Sequence, residues 1–224
     1  MRDLIYIGKK QSIFTNIMYG KLYNWYVIDD VRGICPIGWH VPTKVEFETL
    51  VTYLGGYLIA GGKLKEIGLS HWGSPNTDAT DEVGFNARGS GYRGTDGLFK
   101  KIKQQVDYWS ITGQSTTDKF VFDLQYNYAY SQVIYSFGNR IVGSPVRLLK
   151  NSTTLVHGQT GTYTGNDGRV YRTICIGTQE WLADNLCETK YRDGSTIPEV
   201  TDSTIWSGLT TGARCWYNND PLNE

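Results

Sequence analysis

The chain has no continuous apolar run long enough to cross a membrane and no excess of charge of either sign. Lys and Arg together number 22, as do Asp and Glu, so the formal net charge is zero. A neutral chain has no bulk electrostatic attraction to nucleic acid or to an anionic membrane. A transmembrane helix needs about 18 or more apolar residues in a row. The sequence therefore predicts no nucleic-acid partner and no membrane insertion.

Secretion signals and cysteine motifs are also missing. The first ten residues have neither a continuous apolar core nor a small-residue cleavage site, which predicts that no secretory signal is present. Zinc sites need closely spaced ligand pairs and disulfides need an oxidising compartment. The four cysteines are far apart in the sequence: Cys35, Cys175, Cys187 and Cys215. We therefore predict buried free thiols, with one disulfide-bonded pair at most.

Glycine and aromatic residues are abundant instead. The chain has 26 glycines, 16 tyrosines and 7 tryptophans. Glycine permits tight turns that large aromatic side chains can cover, so this mixture predicts an irregular fold rich in structured loops. The densest stretch, residues 19–43, combines aromatics, a cysteine and two prolines, and predicts a core strand followed by a rigid elbow.

Two short helices are predicted directly after this elbow. Thr43 and Glu46 have the spacing of a capping box, which marks a helix start. Apolar side chains then recur at helical spacing, and a glycine pair at 55–56 ends the pattern. The apolar positions are Phe47, Leu50, Val51 and Leu54. A second helix is predicted at residues 60–67, opened by the glycine pair at 61–62 and closed by Gly68.

Most of the remaining elements are predicted to be strands joined by long loops. Apolar and aromatic runs predict strands at residues 22–28, 108–111, 119–124, 132–135 and 145–149, and a hairpin at 168–177. Turn-forming residues dominate 68–97, where Trp72, Phe85 and Tyr92 provide apolar anchors. Three carboxylates lie in that loop: Asp78, Asp81 and Glu82. They suggest a calcium site, and because EF-hand spacing is absent, a solvated loop is the alternative. No other cofactor is predicted.

Residues 111–142 are rich in tyrosine, serine, asparagine and glycine. Tyrosines that alternate with small polar residues are typical of recognition surfaces, because they offer rigid contact area with little rotamer entropy to lose. The alternative is strand tyrosines with one packed face. The candidate ligand-binding residues are Trp109, Ile111, Tyr126, Tyr128, Tyr130, Tyr135, Phe137, Asn139 and Arg140.

Several motifs resemble the Fibrobacter succinogenes major paralogous domain family. They lie at residues 19–26, 35–43, 60–65, 84–85, 91–93, 108–110 and 146–147, and again at 167–171, 176–186, 193–198, 206–209 and 215–220. The resemblance implies an α+β, C-type-lectin-like fold of the kind shared with sulfatase-modifying-factor proteins. Such a fold has two short helices around a small twisted antiparallel sheet, with long structured loops.

The order of these motifs departs from the family. There, the part that resembles residues 166–224 comes before the part that resembles 19–150, which suggests a circular permutation. We therefore divide the chain into an N-terminal arm (1–18), the main part (19–150), a linker (151–165) and a segment that completes the domain (166–224). Completion of a neighbouring chain, giving a swapped oligomer, is the alternative.

The resemblance and the residues favour recognition over catalysis. Relatives diversified by retroelements vary in a segment that ends in a motif like Val146-Arg147, which implies a ligand-binding face at 111–142. We predict a non-enzymatic module that binds a protein or glycan on a cell surface, consistent with a phage tail fibre or virion protein. Formylglycine-generating chemistry needs two close cysteines, and none lies at 108–150. The alternative is an assembly subunit that forms homo-oligomers through the same face.

Overall fold

The computed structural model describes residues 18–113, 119–136 and 140–223, and only the backbone of residues 134–136. The predicted N-terminal arm lies outside the described residues except for Met18. The described chain is α+β, with short helices and mostly antiparallel sheets. Every helix in this part is too short or too polar to span a membrane.

Twelve short strands form four sheets in the described chain. In chain order the strands are β1 (Leu22–Tyr23), β2 (Trp39–His40), β3 (Ser90–Arg93), β4 (Phe99–Ile102), β5 (Gln105–Gly113), β6 (Lys119–Gln125), β7 (Ser131–Ser136), β8 (Leu149–Lys150), β9 (Thr160–Thr164), β10 (Val170–Ile176), β11 (Gln179–Leu182) and β12 (Arg214–Cys215). The largest sheet has the order β2-β8-β11-β10-β9. A second sheet has the order β5-β6-β7, and β1-β12 and β3-β4 form two-stranded ladders.

Four helices accompany these sheets: α1 (Trp25–Ile28), α2 (Lys44–Tyr53), α3 (Tyr57–Leu64) and α4 (Ser203–Ser207). The capping box of α2 is confirmed, because the Thr43 hydroxyl accepts from the Glu46 amide and the Glu46 carboxylate accepts from the Thr43 amide at 2.7 Å. Two 3₁₀ turns, Tyr217–Asn219 and Pro221–Asn223, end the described chain.

The second predicted helix is present but starts earlier than the sequence suggested. Helix α3 begins after Gly56, and Gly61 and Gly62 lie inside it, not at its start. The pattern was misleading because this pair serves packing. A Cβ at Gly61 would lie 2.2 Å from the carbonyl oxygen of Tyr130. Only glycine therefore allows the backbone at Tyr130 to approach the helix this closely.

Three strand predictions need correction. The run 22–28 is a two-residue strand followed by α1, and only residue 149 of the run 145–149 belongs to a strand. The predicted hairpin at 168–177 is instead one strand, β10, which pairs with β9 and β11 on its two sides. Part of the predicted linker forms β9, so the segment 151–165 contributes a strand to the largest sheet.

The β5-β6-β7 sheet separates two core clusters. Alternate residues of a strand point to opposite faces. Val106, Tyr108 and Phe122 accordingly pack under α2 and α3, where the rings of Phe47 and Phe122 stack at 4.7 Å. Trp109 and Val121 face the other cluster, which contains the aromatic residues of the elbow region.

The C-terminal segment packs into the same body as the main part. Strand β11 pairs with β8 on one side and β10 on the other, so the main part and the C-terminal segment are joined within the largest sheet. The buried Arg147 guanidinium donates to Asn185 Oδ1 at 2.7 Å and to the carbonyls of Phe85 and Leu182. At the ends of the described chain, the Tyr19 amide donates to the Asn223 carbonyl at 3.2 Å.

Candidate functional site

The described candidate binding residues divide between the two ends of the β5-β6-β7 sheet. Tyr126, Tyr128 and Tyr130 lie in the turn that joins β6 to β7. Ile111 and Arg140 lie towards the opposite end, roughly 20 Å away along a seven-residue strand. Phe137, Asn139 and the side chain of Tyr135 lie outside the described residues. The described candidates therefore form two separate surfaces.

Trp109 lies in the core and is removed from the candidate surface. Its side chain is fully buried, and its indole N–H donates to the Tyr23 carbonyl at 2.7 Å. Sequence alone placed it at the surface because a tryptophan next to a tyrosine in a strand fits either face of a sheet. The neighbour Tyr108 is also buried, so this part of β5 is enclosed on both faces.

The turn between β6 and β7 presents a stacked aromatic pair, which we call the tyrosine pair. The rings of Tyr128 and Tyr130 lie 4.5 Å apart with an interplanar angle of 25°. Tyr128 is 41% exposed, whereas Tyr126 is half-buried and packs against the core beneath α2 and α3. The tyrosine pair thus offers a flat aromatic surface at the end of the sheet.

Buried Lys65, next to the C-terminus of α3, holds this turn in place. Its Nζ donates to the carbonyls of Gln125 and Tyr128 at 3.0 and 2.8 Å, and to the Thr77 carbonyl at 2.9 Å. The Gly62 amide of α3 also donates to the Ala129 carbonyl at 2.9 Å. These bonds from one helix region fix the turn on which the tyrosine pair stands.

A polar cluster lies beside the tyrosine pair on one face of the sheet, and we call it the carboxyl–glutamine cluster. It consists of Gln105, Asp107, Asp123, Gln125 and Gln132. Asp107 and Asp123 are direct cross-strand partners. The Gln105 Nε2 donates to both Asp107 oxygens at 2.8 and 2.9 Å, and Gln125 and Gln132 donate to Asp123 Oδ2 at 3.0 and 3.4 Å.

The two carboxyl groups of this cluster disturb each other electrostatically. Burial raises the pKa of Asp107 well above its usual value, and the negative charge of Asp123 raises it further. Burial also raises the pKa of Asp123, while the hydrogen bond from Asp107 opposes that rise. With both pKa values raised, we expect the pair to hold one proton between its two carboxyl groups at pH values where an isolated aspartate is ionised. The pKa of Tyr130 is raised by burial and by its neighbours Tyr128 and Asp123, which puts the tyrosine pair within electrostatic reach of the cluster.

A groove of about 400 Å³ lies on the opposite face of the sheet, between α2 and the edge strand β7. Its lining residues are Lys44, Glu48, Val51, Thr52, Gly56, Tyr57, Ser131, Gln132 and Val133. Large apolar side chains are exposed near this groove, where α2 meets α3. They are Tyr53, Tyr57, Leu58 and Ile59.

The other end of the sheet has a smaller cleft. Ile111 lines a cavity of about 260 Å³ together with Trp39, Arg192 and the buried Cys35. Burial raises the pKa of the Cys35 thiol to about 12, so this thiol is not a ready nucleophile. All four cysteines are buried and free, as the sequence suggested. Nearby, the Arg140 guanidinium lies 4.8 Å from the Trp25 ring centroid and pairs with Asp29 at 2.6 Å.

Two of the three carboxylates considered for calcium, Asp81 and Glu82, are engaged with separate partners. Asp81 Oδ1 accepts from the Asn86 amide at 2.7 Å, and burial raises the Asp81 pKa to about 6. Glu82 forms an ion pair with Lys63 at 2.8 Å. Within the described ranges, no group of three or more His, Cys, Asp or Glu side chains has the geometry of a metal site.

Sequence reasoning did not identify the carboxyl–glutamine cluster or Lys65. Asp107 and Asp123 each stand in a strand-forming run, where acidic residues are uncommon. This signal could have marked them. The register that brings them opposite each other depends on the β5–β6 pairing, however, and the connection at 114–118 gives no clear turn motif that would have fixed it.

Comparison with known proteins identifies a family for this chain. No curated protein and no solved structure matches it. The model of the Fibrobacter succinogenes major domain matches residues 7–150, which is more than half of the chain. These residues include α2, α3, the tyrosine pair and the carboxyl–glutamine cluster. The chain belongs to the Fibrobacter succinogenes major domain family.

Proposed function

We propose that this chain is a non-enzymatic recognition module that binds a ligand through the tyrosine pair and the polar face beside it. The observation that carries the proposal is the stack of exposed Tyr128 on half-buried Tyr130, on a turn fixed by Lys65. Rigid aromatic surfaces bind with a small loss of conformational entropy. The C-type-lectin-like arrangement and a cell-surface ligand, protein or glycan, belong to the same proposal, as does a place on a phage tail fibre or virion.

The hydrogen bonds of two described histidines, His40 and His71, support recognition more than catalysis. Both ring nitrogens of His40 are hydrogen-bonded, to Asn151 Oδ1 at 2.7 Å and to Glu46 Oε1 at 2.9 Å. His71 bonds the Glu66 carboxylate at 2.5 Å. Each of these histidines therefore lies in a local hydrogen-bond network without a serine or cysteine nucleophile within it. This arrangement fits a structural role for both.

A second candidate function is assembly, and the exposed apolar residues where α2 meets α3 favour it. Tyr57 and Leu58 are 62% and 63% exposed, and Tyr53 and Ile59 lie close by in sequence. Contiguous exposed apolar surface often marks a protein–protein interface. Under this alternative, the corner of α2 and α3 would join copies of the chain, or a structural partner, in a larger particle.

Binding to intact bacterial cells and to a glycan panel, with and without calcium, tests the recognition function. We expect saturable binding that falls at least tenfold when Tyr128→Ser and Tyr130→Ser are combined. Tyr57→Ser is the control, because it removes an exposed tyrosine, 62% exposed against 41% for Tyr128, from the other surface. Equal binding by the double variant, with unchanged circular dichroism, would reject the tyrosine pair as the site.

Sedimentation analysis over a range of protein concentrations separates the two candidates. Self-association that Tyr57→Ser and Leu58→Ser weaken, without any cell binding, would favour assembly. A monomer that binds cells would favour recognition.

A further inference from the structure

The cleft beside Ile111 has a mostly apolar lining. Its volume is about 260 Å³, and its apolar side chains come from the segment 28–41 and from β5. They include Ile34, Trp39, Val41 and Ile111. Ligand pockets usually have volumes of about 300 Å³ or more, so a cleft of this size suits a small molecule with an apolar body.

Arg192 places its guanidinium group at the rim of this cleft. Its Nε donates to the Cys35 carbonyl at 2.8 Å, and its backbone amide donates to the Gly33 carbonyl at 2.9 Å. Gly33 leaves the space that the guanidinium occupies, because a Cβ at this position would lie 2.5 Å from Nη2 of Arg192. All three residues line the cleft. Since Nε is bonded to a carbonyl, the two Nη groups remain as a pair of donors.

The positive charge of Arg192 has no carboxylate partner among the described residues. Asp30, the carboxylate of the lining, is paired instead with Arg32, which donates to its two oxygens at 2.8 and 2.7 Å. His40 also lines the cleft, and both of its ring nitrogens are hydrogen-bonded outside the cleft lining, to Asn151 and to a glutamate. One cation therefore stands beside an apolar cleft without a counter-ion.

These features select the chemical class of the ligand. Two parallel N–H donors of a guanidinium match the two oxygens of a carboxylate in a bidentate pair. A phosphate would bring a second negative charge, for which the lining offers no further unpaired cation. The apolar walls favour a hydrocarbon body, because burial of apolar surface supplies most of the binding free energy of small ligands.

We propose that this cleft binds a small carboxylate with an apolar body. The carboxylate pairs with the Arg192 guanidinium, and the apolar body contacts Trp39 and Ile111. The cleft and the tyrosine pair lie at opposite ends of the β5-β6-β7 sheet, so this inference goes beyond the proposed recognition function and does not depend on it.

The test is a titration of the intact chain with sodium phenylacetate, followed through the methyl ¹H–¹³C resonances of Ile34 and Ile111. Phenylacetamide has the same shape without the charge, and sodium acetate has the charge without the ring. The methyl group of Ile205, which is 61% exposed and does not line the cleft, reports non-specific contact.

We expect saturable shifts of the Ile34 and Ile111 methyl resonances with phenylacetate. Affinity should be about fivefold or more lower for phenylacetamide, since charge-assisted hydrogen bonds are stronger than neutral ones. Acetate should not saturate the site in the same concentration range. Equal affinity for phenylacetate and phenylacetamide, or shifts no larger than those of Ile205, would overturn the proposal.

Variants separate the charge from the apolar wall. Arg192→Gln should lower the affinity for phenylacetate to that for phenylacetamide, whereas Ile111→Ser should weaken both ligands by a similar factor. Lys190→Gln is the control, because it removes an exposed positive charge two residues away that does not line the cleft. An amide ¹H–¹⁵N spectrum like that of the wild type shows that each variant is folded. An Arg192→Gln variant that still prefers phenylacetate would also overturn the proposal.

The variant that combines Tyr128→Ser and Tyr130→Ser distinguishes this site from the recognition surface. It should bind phenylacetate as the wild type does, whatever its binding to cells. Loss of phenylacetate binding in this variant, with an unchanged amide spectrum, would move the ligand to the tyrosine pair and overturn the cleft assignment. If the wild type binds no cells, the recognition function fails, and the phenylacetate titration still decides the cleft.

Discussion

Two buried charges shape the region around the tyrosine pair. Lys65 is enclosed, and three backbone carbonyls surround its ammonium group. The Asp107–Asp123 pair lacks such complementary partners and keeps a proton instead. The first charge fixes the turn that carries Tyr128, and the second is a carboxyl pair, fully buried at Asp123, on the neighbouring strands.

The shared proton predicts how stability depends on pH. The folded chain holds this proton at pH values where separate aspartates, with an ordinary pKa of 3.8, have lost it in the unfolded chain. Because the folded state then binds more protons, the contribution of the pair to the free energy of unfolding falls as pH rises from about 3.8 through the raised pKa, and is constant above it. Below 3.8, the contribution is fully present.

Asp123→Asn should remove this dependence. The variant replaces one carboxylate by an amide that can still bond Asp107. The wild type should therefore lose stability relative to the variant as pH rises, and the difference in free energy of unfolding should shift in favour of the variant by on the order of 1 kcal/mol by pH 8. Urea denaturation at half-unit pH steps measures the difference. Glu48→Gln should show no comparable trend. A difference between Asp123→Asn and wild type that stays constant from pH 4 to 8 would contradict the shared proton.

At the scale of elements, α3 and the β6–β7 turn depend on each other through glycine. The Cβ of an alanine at position 61 would meet the Tyr130 carbonyl at 2.2 Å and the Ala129 carbonyl at 2.8 Å. Backbone atoms cannot rotate away as a side chain can, so the turn itself would have to move. The position of the tyrosine pair therefore depends on the absence of a side chain in the helix that supports it.

Gly61→Ala should accordingly lower the free energy of unfolding by about 1–3 kcal/mol, the usual cost of overpacking, despite the better helix propensity of alanine. Gly208→Ala is the control, because its nearest neighbour would lie 3.8 Å from the new Cβ. Urea denaturation gives the stability, and near-ultraviolet circular dichroism reports the surroundings of the tyrosines. A Gly61→Ala variant as stable as wild type, with an unchanged spectrum, would show that the turn does not rest on this contact.

The sequence predicted the elements governed by local chemistry and missed those set by distant contacts. The α2 capping box depends on two residues three positions apart, and its prediction is confirmed. The start of α3 was wrong because Gly61 and Gly62 resemble a helix boundary until the turn packed against them is known. Trp109 was misplaced for a similar reason: which face of a strand is enclosed depends on what packs over it.

At the scale of the molecule, the two ends of the described chain meet. Tyr19 and Asn223 are joined by a backbone hydrogen bond, while an exposed loop at His157 and Gly158 separates β8 from β9. A chain with neighbouring ends can be closed there and opened elsewhere without loss of packing. Closing it at 223 and 19 and opening it at 157 restores the motif order implied by the family resemblance. This geometry supports our proposal that the present order is a circular permutation.

A rearranged chain tests the permutation directly. It would run from residue 158 to 223, continue through a short Gly-Ser linker, and then run from 18 to 157. Because the same strands pair and the new linker closes only a short gap, we expect a monomer whose free energy of unfolding lies within about 2 kcal/mol of the original. The control opens the chain between Thr173 and Ile174, inside the central pairing of β10 with β9 and β11, and should not fold. If the first rearrangement is unfolded, or folds only as a dimer, the segment 166–224 does not complete its own chain in the proposed way, and exchange between neighbouring chains becomes the better account of the motif order.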